Sequence, residues 1–503
     1  MAVFMRDSDA FTWYMERDPV MRSTVVAVAW LERSPDWDLL VARLDGATRL
    51  VPSFRQRIVE PPARLATPRW TTDPEFDLSW HLRRVAAPPP HTPRTVIDIA
   101  RAAAMTAFDR ARPLWEFTLV EQLAGGRAAL VMKLHHSLTD GIGGMQLMLT
   151  LFDAEGAVRA VPLDGIEAPP GESPGTVALA RAAAAHECGR GAGLVRGALA
   201  AAYAGARRGV RAPAGLASDV VETVRSIART VAPVRDTRSP VMRHRGLRRD
   251  LDEIEVDLDD LKRAAAAAGG SVNDAFMAAI GGGFRRYHER HGAPVAELRV
   301  TLPISIRRPD DPVGGNRITL MRFAVPVGEV DPVARIRAMD ERCRAARVER
   351  SLPYTDAIAG TLNLLPSGVV GGMLKHVDFV ASDVTGFTFP VSLAGAPLER
   401  YVAFGPTIGT AVNLTLLSYR GRCCIGITSD RAAVPDPEVL VDCMRVGFDE
   451  VLALGGAHTP ARRPLDEATA AAPEPEAEPE PAAEREPQPE RQPQREPVTA
   501  WSA

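Results

Sequence analysis

Hydrophobic and polar positions alternate in ways that predict strands and helices in turn along the first part of the chain. Residues 23–31 form an apolar, β-branched run typical of a buried strand. Residues 36–50 carry leucines at helical spacing, and residues 96–108 predict a second helix. After an Ala-Gly-Gly-Arg hairpin turn, residues 128–134 predict another buried strand. Residues 1–155 are therefore predicted to form one mixed α/β unit.

The same kinds of pattern return in the second half of the chain. Residues 252–258 alternate between acidic and apolar side chains, which predicts a strand with one face in water. Ser271 is a favourable helix N-cap, and Asp274 stands three residues later at the capping-box position. Residues 411–427 read as a hairpin around an Arg-Gly turn. We therefore predict a second α/β unit at residues 246–457.

Two segments differ from these units in composition. Residues 156–245 are rich in Ala, Gly and Arg, and residues 176–249 hold 14 Arg against 4 acidic residues. This predicts a basic helical linker, whose arginines are either simply solvated or adsorb to anionic lipid surfaces. From residue 458 the chain is dominated by Pro, Glu, Ala, Gln and Arg, so residues 458–503 are predicted to be a disordered tail.

Length, charge and cysteine usage narrow the class of protein. A chain of 503 residues favours two domains, and a net charge of −3 argues against nucleic acid as the main partner. The five cysteines are scattered and do not resemble a disulfide framework, which indicates a reducing cytoplasm. We find neither a signal peptide nor a run of about 18 apolar residues. The protein is therefore expected to be cytoplasmic, either soluble or peripherally attached to lipid.

The candidate chemistry lies directly after the predicted strand at residues 128–134. The sequence His135-His136-Ser137-Leu138-Thr139-Asp140-Gly141 places two histidines at the strand end and an Asp-Gly turn shortly after. A histidine can take up and return a proton near neutral pH, and an acidic residue nearby can fix the loop or the tautomer. The alternatives are a pair of metal ligands or ordinary surface histidines. A metal site is disfavoured, because no further cluster with ligand spacing stands near.

The spacing His-His-x-x-x-Asp-Gly resembles that of chloramphenicol acetyltransferase and of the condensation domains of peptide synthetases. Pro113-Leu114-Trp115, about twenty residues earlier, narrows the resemblance to the bacterial wax ester synthase/diacylglycerol acyltransferase family. The pair Asn273-Asp274 and the segment from Pro303 to Arg307 match further motifs of that family. Ser382-Asp383-Val384-Thr385-Gly386 departs from its usual Ser-Asn-Val-Pro-Gly. The departure puts substrate class or activity level in doubt.

The resemblance implies an α/β (α+β) fold of two chloramphenicol acetyltransferase-like domains, each a mixed sheet with helices, with a channel between them. It implies that His136 is the general base at the centre of that channel and that His135 supports the loop. Asp140 and Gly141 would shape the turn, with Arg307 as a first choice of partner for Asp140. The remaining residues expected to bind substrate or to support the site are Pro113, Leu114, Trp115, Asn273, Asp274 and Asn413. For Trp115 we favour a structural anchor and for Asp274 a helix cap, and Asn413 is a candidate oxyanion donor.

The resemblance also implies a reaction. Acyl-CoA would be a substrate, no cofactor or metal would be needed, and the acceptor would be diacylglycerol or a long-chain alcohol, giving triacylglycerol or wax esters. The enzyme would meet these acceptors by peripheral contact with a membrane or lipid droplet. Two alternatives stay open: acylation of another hydroxyl, such as that of a polyketide or sugar, and a catalytically weak lipid-binding or lipid-droplet protein with the same fold.

Overall fold

The structure is a computed structural model, which describes residues 3–138, 148, 150–154, 166–211, 221–223, 225–227, 234–305, 318–349, 351–363, 365, 371 and 375–465. The strands, numbered β1 to β16 in chain order, are Val3–Phe4, Thr24–Leu31, Gln56–Val59, Arg69–Thr72, Leu82–Ala86, Trp115–Glu121, Ala128–His135, Phe152–Ala154, Arg249–Asp257, Leu298–Ser305, Ile318–Val325, Phe379–Val384, Val391–Leu393, Ala396–Phe404, Val412–Tyr419 and Arg422–Asp430.

The α-helices, numbered α1 to α10, are Asp7–Met15, Trp37–Leu50, Leu78–His81, Pro93–Met105, Thr176–Arg211, Leu258–Ala268, Val272–Arg290, Pro332–Arg347, Thr355–Leu362 and Pro437–Leu452. Short 3-10 turns lie at Pro19–Met21, Pro52–Arg55, Pro62–Arg64, Ala124–Gly126, Leu352–Tyr354 and Ala453–Gly455. None of the described helices is both long enough and apolar enough to cross a membrane.

Two large sheets form the body of the molecule. The first has the strand order β5-β6-β7-β2-β14-β13-β8, and the second has the order β11-β10-β12-β15-β16-β9. Both contain parallel and antiparallel pairs, such as β5 with β6 and β6 with β7 in the first sheet. A small third sheet has the order β1-β4-β3. The predicted mixed α/β fold is confirmed.

The first sheet contains strands from both halves of the chain. Strand β14, from the predicted second unit, pairs antiparallel with β2, and β13 pairs with β8. Strand β2 is buried on both faces, with Val26 and Val28 in one apolar cluster and Ala27 and Ala29 in another. This double burial explains why its sequence is apolar throughout rather than alternating.

The two sheets also meet directly, β14 of the first lying against β16 of the second. A Cβ atom at Gly426 of β16 would lie 2.1 Å from the backbone oxygen of Ala403 in β14, so only glycine permits this approach. Beside this contact, Arg400 of β14 lies 2.8 Å from the buried carboxylate of Glu253 in β9. The two sheets are therefore joined by a close backbone contact and, beside it, by an ion pair.

The expectation that residues 252–258 have one wet face is wrong. Strand β9 is buried from Arg249 to Val256, including its acidic side chains. Arginines neutralise these acids: Arg463 lies 2.6 Å from Asp252, and Arg422 lies 2.6 Å from Glu255. The alternation in the sequence correctly marked which side chains are polar. These side chains are buried, however, and are paired with arginines rather than with water.

The chain after residue 457 continues to pack for several residues. Arg462 exchanges two backbone hydrogen bonds of 2.9 Å with Glu255 and so covers the edge strand β9. Ala461 and Leu465 are buried in two apolar clusters. The packed chain thus extends to residue 465, beyond the predicted start of the tail at 458. The tail's remaining residues, 466–503, lie outside the described residues.

Candidate active site

The two motif histidines stand at the end of β7, held between its two neighbours in the sheet. On one side, the backbone N–H of His135 donates to the carbonyl oxygen of Leu114 over 3.0 Å. On the other, the N–H of His136 donates to the carbonyl of Ser23 over 2.9 Å. The Pro-Leu-Trp segment is therefore adjacent to the histidines because β6 and β7 form a hairpin, with Trp115 opposite Leu134.

The imidazole ring of His135 is buried and has neighbours on both nitrogens. Its Nδ1 accepts the backbone N–H of Ser137 over 3.1 Å and lies 2.7 Å from that residue's hydroxyl. Its Nε2 lies 3.1 Å from Oε1 of Glu16. Because a backbone N–H can only donate, Nδ1 must present a lone pair, so these contacts assign the ring proton to Nε2, facing the carboxylate. This arrangement makes His135 a fixed support for the loop.

Glu16, just beyond helix α1, ties this histidine to the start of β2. Its Oε1 also accepts the N–H of Ser23 over 2.6 Å, and Arg110 lies 3.9 Å from Oε2. Burial alone would raise the pKa of Glu16, but the interactions with His135, Ser23 and Arg110 outweigh it and hold the pKa below its usual value. Sequence reasoning missed Glu16, because only the pairing of β2 with β7 brings these groups together.

His136, which is half-buried, borders a cavity of about 310 Å³ between the two large sheets. Strands β2, β7 and β14 of the first sheet line one side, and β10, β11, β12 and β15 of the second line the other. Helices α1 and α9 contribute further lining residues, including Phe11, Met15, Ile358 and Leu362. The implied placement of the histidine loop between two sheets is thus present in the structure.

The cavity wall is mostly apolar, with a few polar groups among the hydrocarbon side chains. Its polar members include Thr301, Ser382, Asn413 and Thr415. Among the described lining residues, Arg322 alone carries a permanent charge; burial lowers its pKa, and the charge of Arg299 adds to this effect. Such a wall suits a long apolar ligand with one polar reacting group.

Asn413 is held rigidly in this wall. Its amide Nδ2 donates to the carbonyl of Pro406 over 2.8 Å, and its Oδ1 accepts the hydroxyl of Thr415 over 2.9 Å. A Cβ atom at Gly405 would lie only 2.6 Å from Nδ2, so any larger residue there would displace the Asn413 amide. Asn413 and His136 thus border the same cavity from different sheets.

Trp115 is a structural anchor in the apolar core of the first unit. The residue is fully buried, and its indole Nε1 donates to the carbonyl of Phe54 over 2.9 Å. His81 stacks on the indole at 4.5 Å between ring centroids. Pro113 and Leu114 are buried beside it. None of these three motif residues borders the 310 Å³ cavity, so they support the histidine loop from behind.

The other predicted site residues fall into two groups. Asp274 and Ser271 form a complete capping box at the start of α7, and Asn273 Nδ2 lies 3.5 Å from the sulfur of Cys343. Neither Asn273 nor Asp274 borders the cavity. The residues Asp140, Gly141 and Arg307 lie outside the described residues.

The unusual Ser-Asp-Val-Thr-Gly segment begins in β12 and shows a clear division of faces. Ser382 and Val384 border the cavity, whereas Asp383 between them is exposed and is absent from its lining. The side chain of Asp383 is therefore not part of the cavity wall. Among the described residues, no group of three or more His, Cys, Asp or Glu is arranged to hold a metal ion.

The contacts of Glu16 predict a loss of stability when its carboxylate is removed. Glu16→Ala removes the acceptor of the Ser23 N–H and the carboxylate that lies beside Nε2 of His135, and we expect the free energy of unfolding to fall by about 1–3 kcal/mol. Glu16→Gln keeps one acceptor oxygen and should lose less. Urea unfolding at neutral pH measures both changes, with the exposed Glu75→Gln as a control expected to unfold like the wild type.

The stability that Glu16 contributes should depend on pH in a definite direction. Because the pKa of Glu16 is lowered in the folded protein, its stabilisation is present above the unfolded value of about 4.3. It is lost as the pH falls through the folded pKa. The difference in stability between wild type and Glu16→Gln should therefore shrink in acid. Identical urea midpoints for wild type and Glu16→Ala at neutral pH would contradict the assigned role.

Comparison with known proteins agrees with this architecture. A model of the wax ester synthase/diacylglycerol acyltransferase catalytic domain matches residues 5–276, and a model of the WS/DGAT C-terminal domain matches residues 314–451. A Mycobacterium tuberculosis protein (strain ATCC 25618 / H37Rv) with the name "Putative diacyglycerol O-acyltransferase" is 37% identical over 462 residues, which cover 91% of this chain and 93% of that protein.

Two solved structures show the same fold. The wax ester synthase/diacylglycerol acyltransferase from Marinobacter aquaeolei VT8 superposes with a TM-score of 0.59 at 20% identity, over 90% of this chain and 100% of that one. The first condensation domain of the CDA synthetase superposes with a TM-score of 0.56 at 16% identity, over 93% and 98% of the two chains. The chain belongs to the wax ester synthase/diacylglycerol acyltransferase family and is an acyltransferase of that type.

Proposed function

We propose that this acyltransferase moves a fatty acyl group from acyl-CoA to the hydroxyl group of diacylglycerol or a long-chain alcohol, with His136 as general base. The observation that carries the proposal is the position of His136 on the wall of a mostly apolar cavity between the two sheets. Hydrocarbon side chains on that wall suit an acyl chain better than a sugar. The products would be triacylglycerol or wax esters.

The reaction moves one proton, forms a carbon–oxygen bond and breaks the carbon–sulfur bond of the thioester. An alcohol hydroxyl is a poor nucleophile at neutral pH, so a base must take its proton as the oxygen attacks the thioester carbon. His136 takes that proton. The tetrahedral intermediate then collapses, the carbon–sulfur bond breaks, and the proton passes from His136 to the departing CoA sulfur.

The negative oxygen of the intermediate requires a hydrogen-bond donor. A carboxamide has two N–H donors, and Asn413 uses one on Pro406. We assign the other to the oxyanion, because Asn413 borders the cavity that His136 also borders. For the turn that follows the histidines, we propose that Asp140 and Gly141 fix its shape and that Arg307 pairs with Asp140.

Direct transfer is favoured over a covalent acyl-enzyme. Burial raises the pKa of the Cys343 and Cys423 thiols to about 12, so neither forms a thiolate at neutral pH. Cys424 and Cys443 are also buried, whereas Cys188 is exposed on helix α5, and none of the five borders the cavity. We therefore propose a mechanism that needs no cysteine, metal or cofactor.

An assay with radiolabelled palmitoyl-CoA tests the proposal. Diacylglycerol and hexadecanol are offered separately, and the lipids are resolved by chromatography. We expect ester formation by the wild type and a 10²–10⁴-fold lower rate for His136→Ala, since that is the usual contribution of a general base. His458→Ala is the matched control, because His458 is half-buried like His136 but does not border the cavity, and it should keep the wild-type rate.

The outcomes separate the candidates. Near-normal turnover by a folded His136→Ala protein would show that His136 is not the general base. Ester formation only with a sugar or polyketide acceptor would move the acceptor to another hydroxyl class. A wild type that binds acyl chains but forms no ester with any acceptor would be a lipid-binding protein rather than a working enzyme.

We further propose peripheral contact with a membrane or lipid droplet, because the acceptors are insoluble in water. Support comes from helix α5, Thr176–Arg211, which would be about 54 Å long at 1.5 Å per residue. The helix carries six arginines against the single acidic residue Glu187. Basic side chains of this kind are attracted to anionic lipid at about 1 kcal/mol each.

Liposome flotation tests this contact. Binding should be strong with anionic lipid, weak with neutral lipid and reduced by high salt, because salt screens charge. Replacing Arg196, Arg207, Arg208 and Arg211 with Gln should lower flotation. Replacing the exposed arginines Arg33, Arg243, Arg248 and Arg344 is the matched control and should not. If flotation were equal on both lipids and did not change with the α5 substitutions, helix α5 would be a linker without a role in lipid binding.

A further inference from the structure

A second cavity, of about 200 Å³, also borders the ring of His135. Its wall includes Trp13, Glu16, Arg17, Arg22, Phe108 and Arg110. His135 borders this cavity as well as the apolar one, so the two cavities adjoin the same histidine. Their linings differ, because the larger cavity is mostly apolar and the smaller one is rich in arginine. The proposed function gives no role to these arginines.

The charges in the smaller cavity are unbalanced. Three guanidinium groups face one carboxylate, that of Glu16, whose Oε1 is already engaged by Ser23 and His135. Arg110 lies over the ring of Trp13 at 4.0 Å. Arg17 lies 3.1 Å from Glu60, which partly offsets its charge. An excess of positive charge therefore stays on this wall.

Arg22 contributes most to this excess. Its guanidinium donates to the carbonyl oxygen of Met105, and no carboxylate among the described residues lies within ion-pair distance of it. The charge of Arg22 also affects a neighbouring arginine. Burial is the main reason that the pKa of Arg249 is lowered; Asp430 opposes this effect, and the charge of Arg22 adds to it. A half-buried guanidinium held in this way suits an anionic ligand.

We propose that the cavity formed by Arg17, Arg22 and Arg110 binds phosphate groups of the CoA part of the acyl donor. The inference rests on the proposed function, since it assigns a position to that donor. Guanidinium groups bind phosphate through paired N–H donors, and a polyanion uses several of them at once. The donor would then reach His136 from the side of helix α1, with its acyl chain in the apolar cavity and its phosphates beside Arg22.

Binding and kinetics test the inference separately. Isothermal titration calorimetry with CoA and with adenosine 3′,5′-bisphosphate measures phosphate recognition without any reaction. We expect Arg22→Gln and Arg110→Gln each to weaken binding of both ligands by about tenfold to hundredfold, the usual effect of losing a charged hydrogen bond. Two variants on separate segments are used, and thermal melting checks that each is folded.

The kinetic arm compares two donors, palmitoyl-CoA and the palmitoyl thioester of N-acetylcysteamine, which lacks phosphate. The ratio of their kcat/KM values should fall at least tenfold in Arg22→Gln, because only the CoA donor loses a contact. Arg127→Gln is the matched control. Arg127 directly precedes β7, whose opposite end carries His135, so it should leave the ratio unchanged.

The outcomes distinguish the inference from the proposed function. If wild type and both variants bind the bisphosphate and CoA equally, the inference is overturned even when acyl transfer is intact. If a folded wild type transfers no acyl group but loses bisphosphate affinity on Arg22→Gln, the proposed function fails and the phosphate site stands. A ratio that does not change with Arg22→Gln would also overturn the inference.

Discussion

Two backbone hydrogen bonds, one on each side of the histidine loop, are the constraint on which the rest of the site depends. They join His135 to Leu114 and His136 to Ser23, so the loop is fixed between β6 and β2. The half-buried carboxylate of Glu16 adds a third tie, because it lies 3.1 Å from Nε2 of the His135 ring. Because the backbone is held in this way, both histidines border the apolar cavity, and the ring of His135 is further fixed by its contacts with Ser137 and Glu16.

The sequence was informative where a signal is local. The helix cap at Ser271, the apolar strand β2 and the hairpin that joins β6 to β7 could all be predicted, since periodicity and turn residues determine them. The motif also pointed to His136 without any structure. Glu16 could not be found in this way, because its role depends on strands that meet only after folding. The burial of β9 was missed for a similar reason, since the arginines that neutralise it come from distant segments.

The two cavities suggest how one site could handle substrates with opposite solubility. A fatty acyl donor combines a hydrocarbon chain with a polyanionic carrier, and burying a charge in an apolar space is costly. Under the proposals above, the apolar cavity takes the chain and the arginine-lined cavity takes the phosphates, and His135 borders both cavities. Asp383, which departs from the family pattern, is exposed and is not part of the cavity wall.

The central claim is that His135 is a fixed support whose Nδ1 accepts a hydrogen bond, and that His136 is the base. Nitrogen-15 NMR of protein labelled at the histidine rings tests it most directly, with the His135 signals assigned by their absence in His135→Gln. At neutral pH the account predicts that Nδ1 of His135 is unprotonated and Nε2 is protonated, as the Ser137 and Glu16 contacts require. A proton on Nδ1 of His135 would contradict the account and would leave either histidine eligible as the base.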